Sequence, residues 1–330
     1  VALDPDTGEY LWHYQNTPGE TWDYNSNMDI VLADLEIEGR TVKALMQAPK
    51  NGFFYVLDRE KGELISAEAY AAINWATHVD LATGRPVERP GARYEDGSER
   101  ISPTPAGAHS WHAMSYNPTT GLAYIPVIQA SATYTDEGID PGSWRSAVFE
   151  GDTTGVGWGW VEEPDDSPAG SLQARDPVTN TIAWEIQHGG GMSHPGTMTT
   201  AGNLLFQGRV DGNLVAYDAE TGEELWTYDT GLGISAPPVT YAVDGKQYVA
   251  LLVGWGGGGA ALGGKMAVAN GWAYGKHARR LVAFSLDGNE LLPTQPPPAP
   301  EQPIEIVQFE VDEAMAQRGF GEYASRCMVC

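Results

Sequence analysis

An acid between two large aromatic residues is the first candidate for catalysis. It is Asp23, in the segment Thr21-Trp22-Asp23-Tyr24-Asn25, which follows a turn at 16–19 and precedes an apolar run at 30–32. A carboxylate held on a rigid loop can act as a general base and take a proton from a substrate hydroxyl. A solvated loop carboxylate fits the pentapeptide equally well, so the rest of the chain has to decide between the two interpretations.

A lysine next to an aromatic run is the second candidate. Lys50 lies in Ala48-Pro49-Lys50-Asn51-Gly52, directly before the apolar run 53–57. Its ammonium group is a compact charge with three donors, which suits an anionic or carbonyl oxygen. A lysine at the end of a strand, in water, gives the same local pattern, and the sequence alone leaves both interpretations open.

Two histidines flank a serine and a tryptophan in the segment 107–112, which reads Gly107-Ala108-His109-Ser110-Trp111-His112. On an extended chain, residues three apart point to opposite sides. This spacing argues against a metal site built from the two imidazoles. The segment is better interpreted as one wall of a pocket, with Trp111 as its apolar face.

The two cysteines, Cys327 and Cys330, form a Cys-x-x-Cys pattern in the last four residues. The pattern fits a redox dithiol, half of a zinc site or a c-type haem attachment, for which His must follow the second Cys. Residues 321–326 are typical of the short amphipathic helix that a haem motif closes. No strand is predicted before them, which argues against a thioredoxin-like site.

Charge and composition exclude some classes of partner. The 330 residues carry a net charge of −25, and binding to nucleic acid needs a basic face instead. The acidic surface is either a solvated surface or a field that steers a basic protein partner. No run approaches the roughly 18 apolar residues of a membrane span. Because the chain starts at Val1 and ends inside the cysteine motif, we expect both ends to be cut, which makes the missing signal peptide uninformative.

A repeated segment organises the chain. Residues 2–12, 174–184 and 216–226 share an Asp that opens a turn, a Gly or Asn at its corner, and a Trp four residues later. Asp can bond its own backbone two residues on, and Gly or Asn takes the positive φ of the corner. Turns without the Trp begin at 58, 80, 117 and 286. The apolar runs beside these turns are predicted to be the strands of hairpins.

The spacing of these turns predicts an all-β propeller. Four strands of five or six residues with short loops occupy about 40 residues, which is the size of one propeller blade. No helical period is found before residue 305. Residues 131–170 lack strand alternation and are predicted to form a surface loop or lid. The segment 254–275 is rich in glycine, which indicates either a close backbone approach or a flexible loop.

The last part of the chain differs in composition. Residues 293–303 are rich in proline and predict a stiff linker. Beyond the linker, residues 311–319 have the pattern of a short helix that Gly319 would end. A second helix is predicted to begin near Phe320 and to carry Cys327.

Five segments together resemble the quinoprotein alcohol dehydrogenases, and more closely the quinohaemoprotein alcohol dehydrogenases, over almost the whole chain. They are residues 21–24, 48–58, 107–112, 199–203 and 253–257. The repeats resemble that family's tryptophan-docking motif, in which the indole packs against the neighbouring blade. The resemblance implies about half of an eight-bladed propeller, with pyrroloquinoline quinone on its axis beside a metal ion. It divides the chain into the C-terminal half of the propeller (1–292), a linker (293–304) and the start of a cytochrome c domain (305–330), cut inside the haem motif.

The resemblance also implies roles for individual residues. Asp23 matches the catalytic base and would lie near the metal ion. Lys50 matches the residue that bonds the quinone oxygens. The other implied positions are Trp111 and Ser110 beside the quinone, Gly254 and Trp255 in a segment near it, and Cys327 and Cys330 for haem attachment. Ser110 stands where close relatives have Asn.

The metal expected from the resemblance is calcium. Asn25, two residues after the base, is not the additional Asp of the lanthanide enzymes, and it is not the small residue of typical calcium enzymes either. The main metal ligands of the family belong to the N-terminal half, so only Asp23 can be placed near the ion.

The implied reaction is oxidation of an alcohol to an aldehyde, with Asp23 as base and the quinone as hydride acceptor. Electrons would pass to haem c and then to an acceptor protein, such as a cytochrome or a copper protein, in the periplasm. We expect no activity from residues 1–330 alone. One alternative is a propeller scaffold that binds proteins without catalysis. Another is a quinoprotein that acts on aldehydes, sugars or polymeric alcohols.

Overall fold

The computed structural model describes residues 1–137, 140, 157–160, 170–188, 195–254, 279–293 and 311–326. Trp255, Cys327 and Cys330 lie outside the described residues, as do most of the glycine-rich segment and most of the proline-rich linker. The predicted division into propeller, linker and cytochrome domain stays a prediction.

The described chain forms seven antiparallel sheets, and its larger sheets follow the order of the sequence. The strands of the first part are β1 (Ala2–Leu3), β2 (Tyr10–Trp12), β3 (Val31–Ile37), β4 (Arg40–Gln47), β5 (Phe53–Asp58), β6 (Leu64–Ala69), β7 (Ala76–Asp80), β8 (Arg85–Glu88) and β9 (Ser98–Ile101). Then come β10 (Ser115–Asn117), β11 (Leu122–Ile128), β12 (Ala132–Thr135), β13 (Gly157–Trp160), β14 (Gly170–Arg175) and β15 (Ile182–His188). The last are β16 (Thr197–Thr199), β17 (Leu204–Gly208), β18 (Asn213–Asp218), β19 (Glu224–Asp229), β20 (Val239–Val243), β21 (Lys246–Val253) and β22 (Arg280–Phe284).

Four of these sheets have the make-up of propeller blades. Sheet I is β3-β4-β5-β6, sheet II is β10-β11-β14-β15, sheet III is β16-β17-β18-β19, and sheet IV is β20-β21-β22. β1 pairs with β2, β7 pairs with β8, and β9, β12 and β13 form a separate three-stranded sheet. The prediction of consecutive four-stranded units is confirmed for sheets I to III.

Alternate residues of the inner strands pack on opposite faces, which places a core between each pair of neighbouring sheets. In β11, Ala123, Ile125 and Val127 pack with residues of sheet I, whereas Leu122 and Tyr124 pack with residues of sheet III. A strand buried on both faces reads as a continuous apolar run, without polar alternation. This explains why β11 is buried at all seven positions.

The prediction that residues 131–170 contain no strand is wrong at two places. β12 lies between β9 and β13, with Tyr134 opposite both Glu99 and Trp158. The insertion between β11 and β14 of sheet II therefore adds strands to a different sheet. These strands could not be predicted from the sequence, because β13 alternates Gly with Trp and has no amphipathic pattern. The strands form by pairing with partners that are distant in the sequence.

Tryptophan docking is confirmed at all three repeats. Trp12 of β2 lies against the turn that contains Gly62 in sheet I, and Trp184 of β15 lies against the turn that contains Gly222 in sheet III. Trp184 Nε1 also donates to the carbonyl of Ala219, at 3.2 Å. Trp226 of β19 packs edge-on to Phe284 of sheet IV, with ring centroids 5.6 Å apart. Each indole thus links one antiparallel unit to the next.

We expect Gly222→Ala to destabilise the protein more than Gly121→Ala. Both glycines have similar positive φ values, 77° and 73°, so both variants carry a left-handed strain of about 1–2 kcal/mol. A Cβ at Gly222 would lie 2.8 Å from Trp184 Cδ2, whereas a Cβ at Gly121 would meet nothing within 4 Å. Displacing the docked indole adds about 1–3 kcal/mol. Thermal unfolding of the two variants measures the difference, and equal losses of stability would contradict the docking role.

One helix is described, α1 (Glu313–Arg326). Asp312 caps it, since its Oδ1 accepts from the backbone N–H of Met315 at 2.9 Å. The predicted stop at Gly319 is wrong, because α1 continues through this residue. A glycine inside a helix costs only about 1 kcal/mol, and it ends a helix when it adopts the left-handed conformation, which Gly319 does not. Among the described residues, no helix is long and apolar enough to cross a membrane.

Candidate active site

The backbone around Asp23 is anchored by its aromatic neighbours. Trp22 and Tyr24 are 0% and 1% exposed. Trp22 Nε1 donates to the carbonyl of Ala92 at 2.8 Å, and the Tyr24 hydroxyl donates to the carbonyl of Pro103 at 2.6 Å. Glu20 Oε2 accepts from the backbone N–H groups of both Trp22 and Tyr24, at 2.9 Å each. The loop is therefore fixed on both sides of the acid.

Asp23 itself has a left-handed backbone conformation, with φ 63°. Asp tolerates this region better than most residues, because its short polar side chain can bond locally. The side chain of Asp23 remains 48% exposed between two fully buried neighbours. A half-exposed carboxylate on an anchored loop is compatible with a general base and with a solvated acid, so the role of Asp23 as base stays a prediction.

Lys50 forms an ion pair with Asp23. Its Nζ lies 3.1 Å from Asp23 Oδ2 and donates to the backbone carbonyl of Asp23 at 2.9 Å. The lysine side chain is only 9% exposed, so the alternative of a lysine in water is wrong. Among the described residues Asp23 occupies two of the three ammonium hydrogens, and the third remains for a ligand oxygen.

Gly107 makes room for Lys50. The backbone N–H of Ala108 donates to the carbonyl of Lys50 at 3.0 Å. A Cβ at Gly107 would lie 2.4 Å from Lys50 Cγ and 2.7 Å from Lys50 Cα, and Gly107 has φ 85°. Only glycine fits this close approach. The segment that carries Ser110 and Trp111 is thereby held directly against Lys50.

The structure places Ser110 and Trp111 differently with respect to solvent. Ser110 is 9% exposed, whereas Trp111 is 56% exposed and stacks on His112 with ring centroids 4.0 Å apart. Residues 107–114 form no strand, so the premise of an extended chain is wrong. The chain turns instead, which allows His109 Nε2 to reach the carbonyl of His112 at 2.5 Å.

Three residues make contacts in the site that were not predicted from the sequence. Asn25 Nδ2 donates to Asp23 Oδ1 at 3.0 Å, so each carboxylate oxygen has one donor and keeps one further lone pair. The Tyr134 hydroxyl donates to the carbonyl of Trp22 at 3.1 Å. Burial, and then the charge of Asp23, raise the pKa of Tyr134, which keeps it a donor. Glu20, which accepts from the backbone on both sides of the acid, is the third. Asn25 and Glu20 lie within three residues of Asp23, whereas Tyr134 is far from it in the sequence.

Gly254 lies at the other end of the chain. It follows β21, has φ 108°, and donates its backbone N–H to the carbonyl of Gly233 at 3.0 Å. These contacts belong to sheet IV and its loop, and none of the described contacts joins Gly254 to the Asp23–Lys50 pair. Its role stays a prediction. The described residues contain no group of three or more His, Cys, Asp or Glu side chains able to hold a metal ion.

Known proteins match this chain over its whole length. A quinohemoprotein alcohol dehydrogenase, ADH IIB of Pseudomonas putida, is 45% identical over 338 residues, which cover 100% of this chain and 47% of that protein. The solved structure of the quinohemoprotein alcohol dehydrogenase ADHIIG from Pseudomonas putida HK5 has a TM-score of 0.82 and 38% identity, and covers 99% of this chain and 48% of that one. The chain therefore spans about half the length of the curated relatives it matches.

A europium-containing methanol dehydrogenase is also similar in structure, with a TM-score of 0.68 and 32% identity over 79% of this chain and 45% of that one. The β-propeller domain family described as PQQ, glucose/ethanol/alcohol dehydrogenase, matches residues 1–69 and 165–249. These segments contain Asp23, Lys50 and all three docking tryptophans. In these two segments the chain matches the β-propeller domain of the pyrroloquinoline quinone dehydrogenases.

Proposed function

We propose that this chain supplies the base and one side of the cofactor site of a pyrroloquinoline quinone-dependent alcohol dehydrogenase. The observation that carries the proposal is the Asp23–Lys50 pair, in which a half-exposed carboxylate and a nearly buried ammonium group meet at 3.1 Å. The name of the relative ADH IIB, an alcohol dehydrogenase, supports an alcohol as the substrate class.

The residues around this pair fit a flat quinone with anionic oxygens. Lys50 keeps one ammonium hydrogen for a quinone oxygen, and Gly107 keeps the neighbouring backbone within van der Waals distance. The exposed indole of Trp111 offers a flat apolar surface, and Ser110 adds a hydroxyl beside it. Gly254 and Trp255 are proposed to complete the site from the glycine-rich segment.

Asp23 is the group that moves the proton. One of its carboxylate oxygens would accept the hydroxyl proton of the alcohol, through the lone pair that neither Lys50 nor Asn25 occupies. When bound, pyrroloquinoline quinone supplies a two-electron acceptor for the oxidation of the alcohol carbon. Lys50 and Asn25 hold the carboxylate in place, and the anchored aromatics Trp22 and Tyr24 limit its displacement.

The metal that suits this chain is calcium. Hard cations of this kind bind carboxylate and carbonyl oxygens, and Asp23 would contribute one such oxygen. Asn25 adds a neutral amide next to Asp23 where a further carboxylate would add a second negative charge. A site with less negative charge favours a divalent ion over the trivalent ion expected in the europium-containing relative.

Haem c attached at Cys327 and Cys330 is proposed to take the electrons onward. A cytochrome or copper protein is the proposed acceptor, and the periplasm is the proposed compartment. The term quinohemoprotein in the names of the relatives supports a haem in the complete protein. Steering of a basic acceptor by the net charge of −25 agrees with this role.

The test uses the full natural protein, prepared without cofactor and reconstituted with pyrroloquinoline quinone and Ca²⁺. We expect a primary alcohol to reduce the haem, which is followed by its absorption spectrum. One molecule of aldehyde should form for every two electrons released. Sugars, aldehydes and a polymeric alcohol are compared at equal concentration. Absence of quinone binding would reject the cofactor, and quinone binding with a preference for sugars or aldehydes would reject the substrate class.

A further inference from the structure

A buried histidine joins the two segments of the proposed quinone site. His109 is 0% exposed. Its Nδ1 lies 2.7 Å from the carbonyl oxygen of Ala48, and its Nε2 lies 2.5 Å from the carbonyl oxygen of His112. A carbonyl oxygen only accepts, so each contact needs a hydrogen on the ring nitrogen. A neutral imidazole carries one such hydrogen and an imidazolium carries two.

Asp29 supplies the charge that a protonated ring would need. Burial is the largest influence on both groups, since it lowers the pKa of His109 and raises the pKa of Asp29. The Ala48 carbonyl and the attraction between the two charges act in the opposite direction. With a neutral ring, one nitrogen lone pair would face a carbonyl oxygen at 2.7 Å or less. Buried polar groups without partners are costly, and the ionised pair removes this conflict.

The hydrogen bonds of His109 and Asp29 lie next to Lys50 and Trp111, two residues proposed to bind the quinone. Ala48 lies two residues before Lys50, and His112 directly follows Trp111. The Oδ1 of Asp29 accepts from the backbone N–H of Met114 at 3.3 Å, at the end of the same segment. His109 and Asp29 thus connect the loop after Asp23, the residues before Lys50 and the turn that carries Trp111.

We propose that His109, protonated at both ring nitrogens and paired in charge with Asp29, is a positioning residue that fixes Lys50 relative to Trp111. This inference rests on the proposed quinone site. Removing the partner that orients a binding group costs roughly 10–100-fold in affinity at metal sites, and an effect of similar size is expected here.

The experiment measures quinone affinity in the full natural protein without cofactor. Pyrroloquinoline quinone is titrated in the presence of Ca²⁺, and tryptophan fluorescence is followed well below the unfolding temperature. We expect His109→Gln and Asp29→Asn each to raise Kd about tenfold or more. His78→Gln, the same change at an exposed histidine of β7, is the control and should match the unmodified protein. ¹⁵N NMR of labelled histidine should show both ring N–H groups of His109.

The outcomes separate this inference from the function it rests on. If the unmodified protein binds no quinone, the proposed function fails. If the unmodified protein binds quinone, and both Asp29→Asn and His109→Gln bind it with the same Kd, only the positioning role is overturned. A neutral-ring ¹⁵N signal with an unchanged Kd in Asp29→Asn overturns the charged pair. Should His109→Gln fail to fold, Asp29→Asn still decides, since its amide oxygen can accept from Met114.

Discussion

Asp23→Asn in the full natural protein is expected to lower kcat about 10²- to 10⁴-fold, the range that general-base catalysis contributes. The amide keeps the size of the side chain and an oxygen that can accept from Lys50 Nζ, now 3.1 Å from Oδ2. It cannot take the proton of the alcohol. Quinone affinity should change little, because Asp23 is proposed to act on the substrate. The kcat of alcohol oxidation and the Kd of quinone are measured on the same preparation.

Asp34→Asn is the matched control for this variant. Asp34 also forms an ion pair, at 3.0 Å from Arg59, and its side chain is 58% exposed on β3. Loss of an exposed ion pair costs about 0–1 kcal/mol of stability and should leave kcat unchanged. Full activity of Asp23→Asn would remove Asp23 from the reaction. A loss of quinone together with the loss of turnover would indicate that Asp23 holds the cofactor instead.

The parts of the fold that follow local rules could be predicted from the sequence. The turn at residues 58–62 is an example, since Asp58 Oδ1 accepts from the backbone of Glu60 and Gly62 has φ 74°. Both features depend on residue types a few positions apart. The docking tryptophans could be predicted for the same reason, because each one keeps a fixed distance from its turn.

The candidate site could be predicted only as separate residues. Asp23 and Lys50 are 27 residues apart, and His109 is 61 residues from Ala48, so no local pattern shows that they meet. The positive φ of Asp23 has no signal either, because Asp adopts this conformation only where its surroundings fix it. The family resemblance supplied the roles of Asp23 and Lys50, but it did not indicate the hydrogen bonds that Asn25, Tyr134 and His109 make around them.

The prediction for residues 107–112 shows how a local rule can mislead. Strand alternation placed the two histidines on opposite sides of an extended chain. The chain instead turns at Gly107, whose positive φ and lack of a Cβ allow the backbone to lie against Lys50. The close approach is determined by a partner far away in sequence, and the glycine alone does not identify that partner.

Lys50→Met is expected to raise the Kd of pyrroloquinoline quinone about 10- to 100-fold. A hydrogen bond to a charged group contributes roughly 1.5–3 kcal/mol, and about 1.4 kcal/mol corresponds to a factor of ten in affinity. Methionine has a similar length and preserves the contact with Gly107, so the change removes mainly the ammonium group. Fluorescence titration of the protein prepared without cofactor measures this loss.

The same variant should also lower kcat, because Lys50 Nζ bonds both the backbone carbonyl and Oδ2 of Asp23. Lys43→Met is the control, since Lys43 on β4 pairs with Glu60 at 2.7 Å but is 52% exposed. The double variant Asp23→Asn/Lys50→Met tests the pair directly. Residues in contact are not additive, so the double variant should lose less activity than the product of the two single losses. Additive losses would mean that Lys50 and Asp23 act independently. An unchanged Kd in Lys50→Met would mean that Lys50 does not bind the quinone.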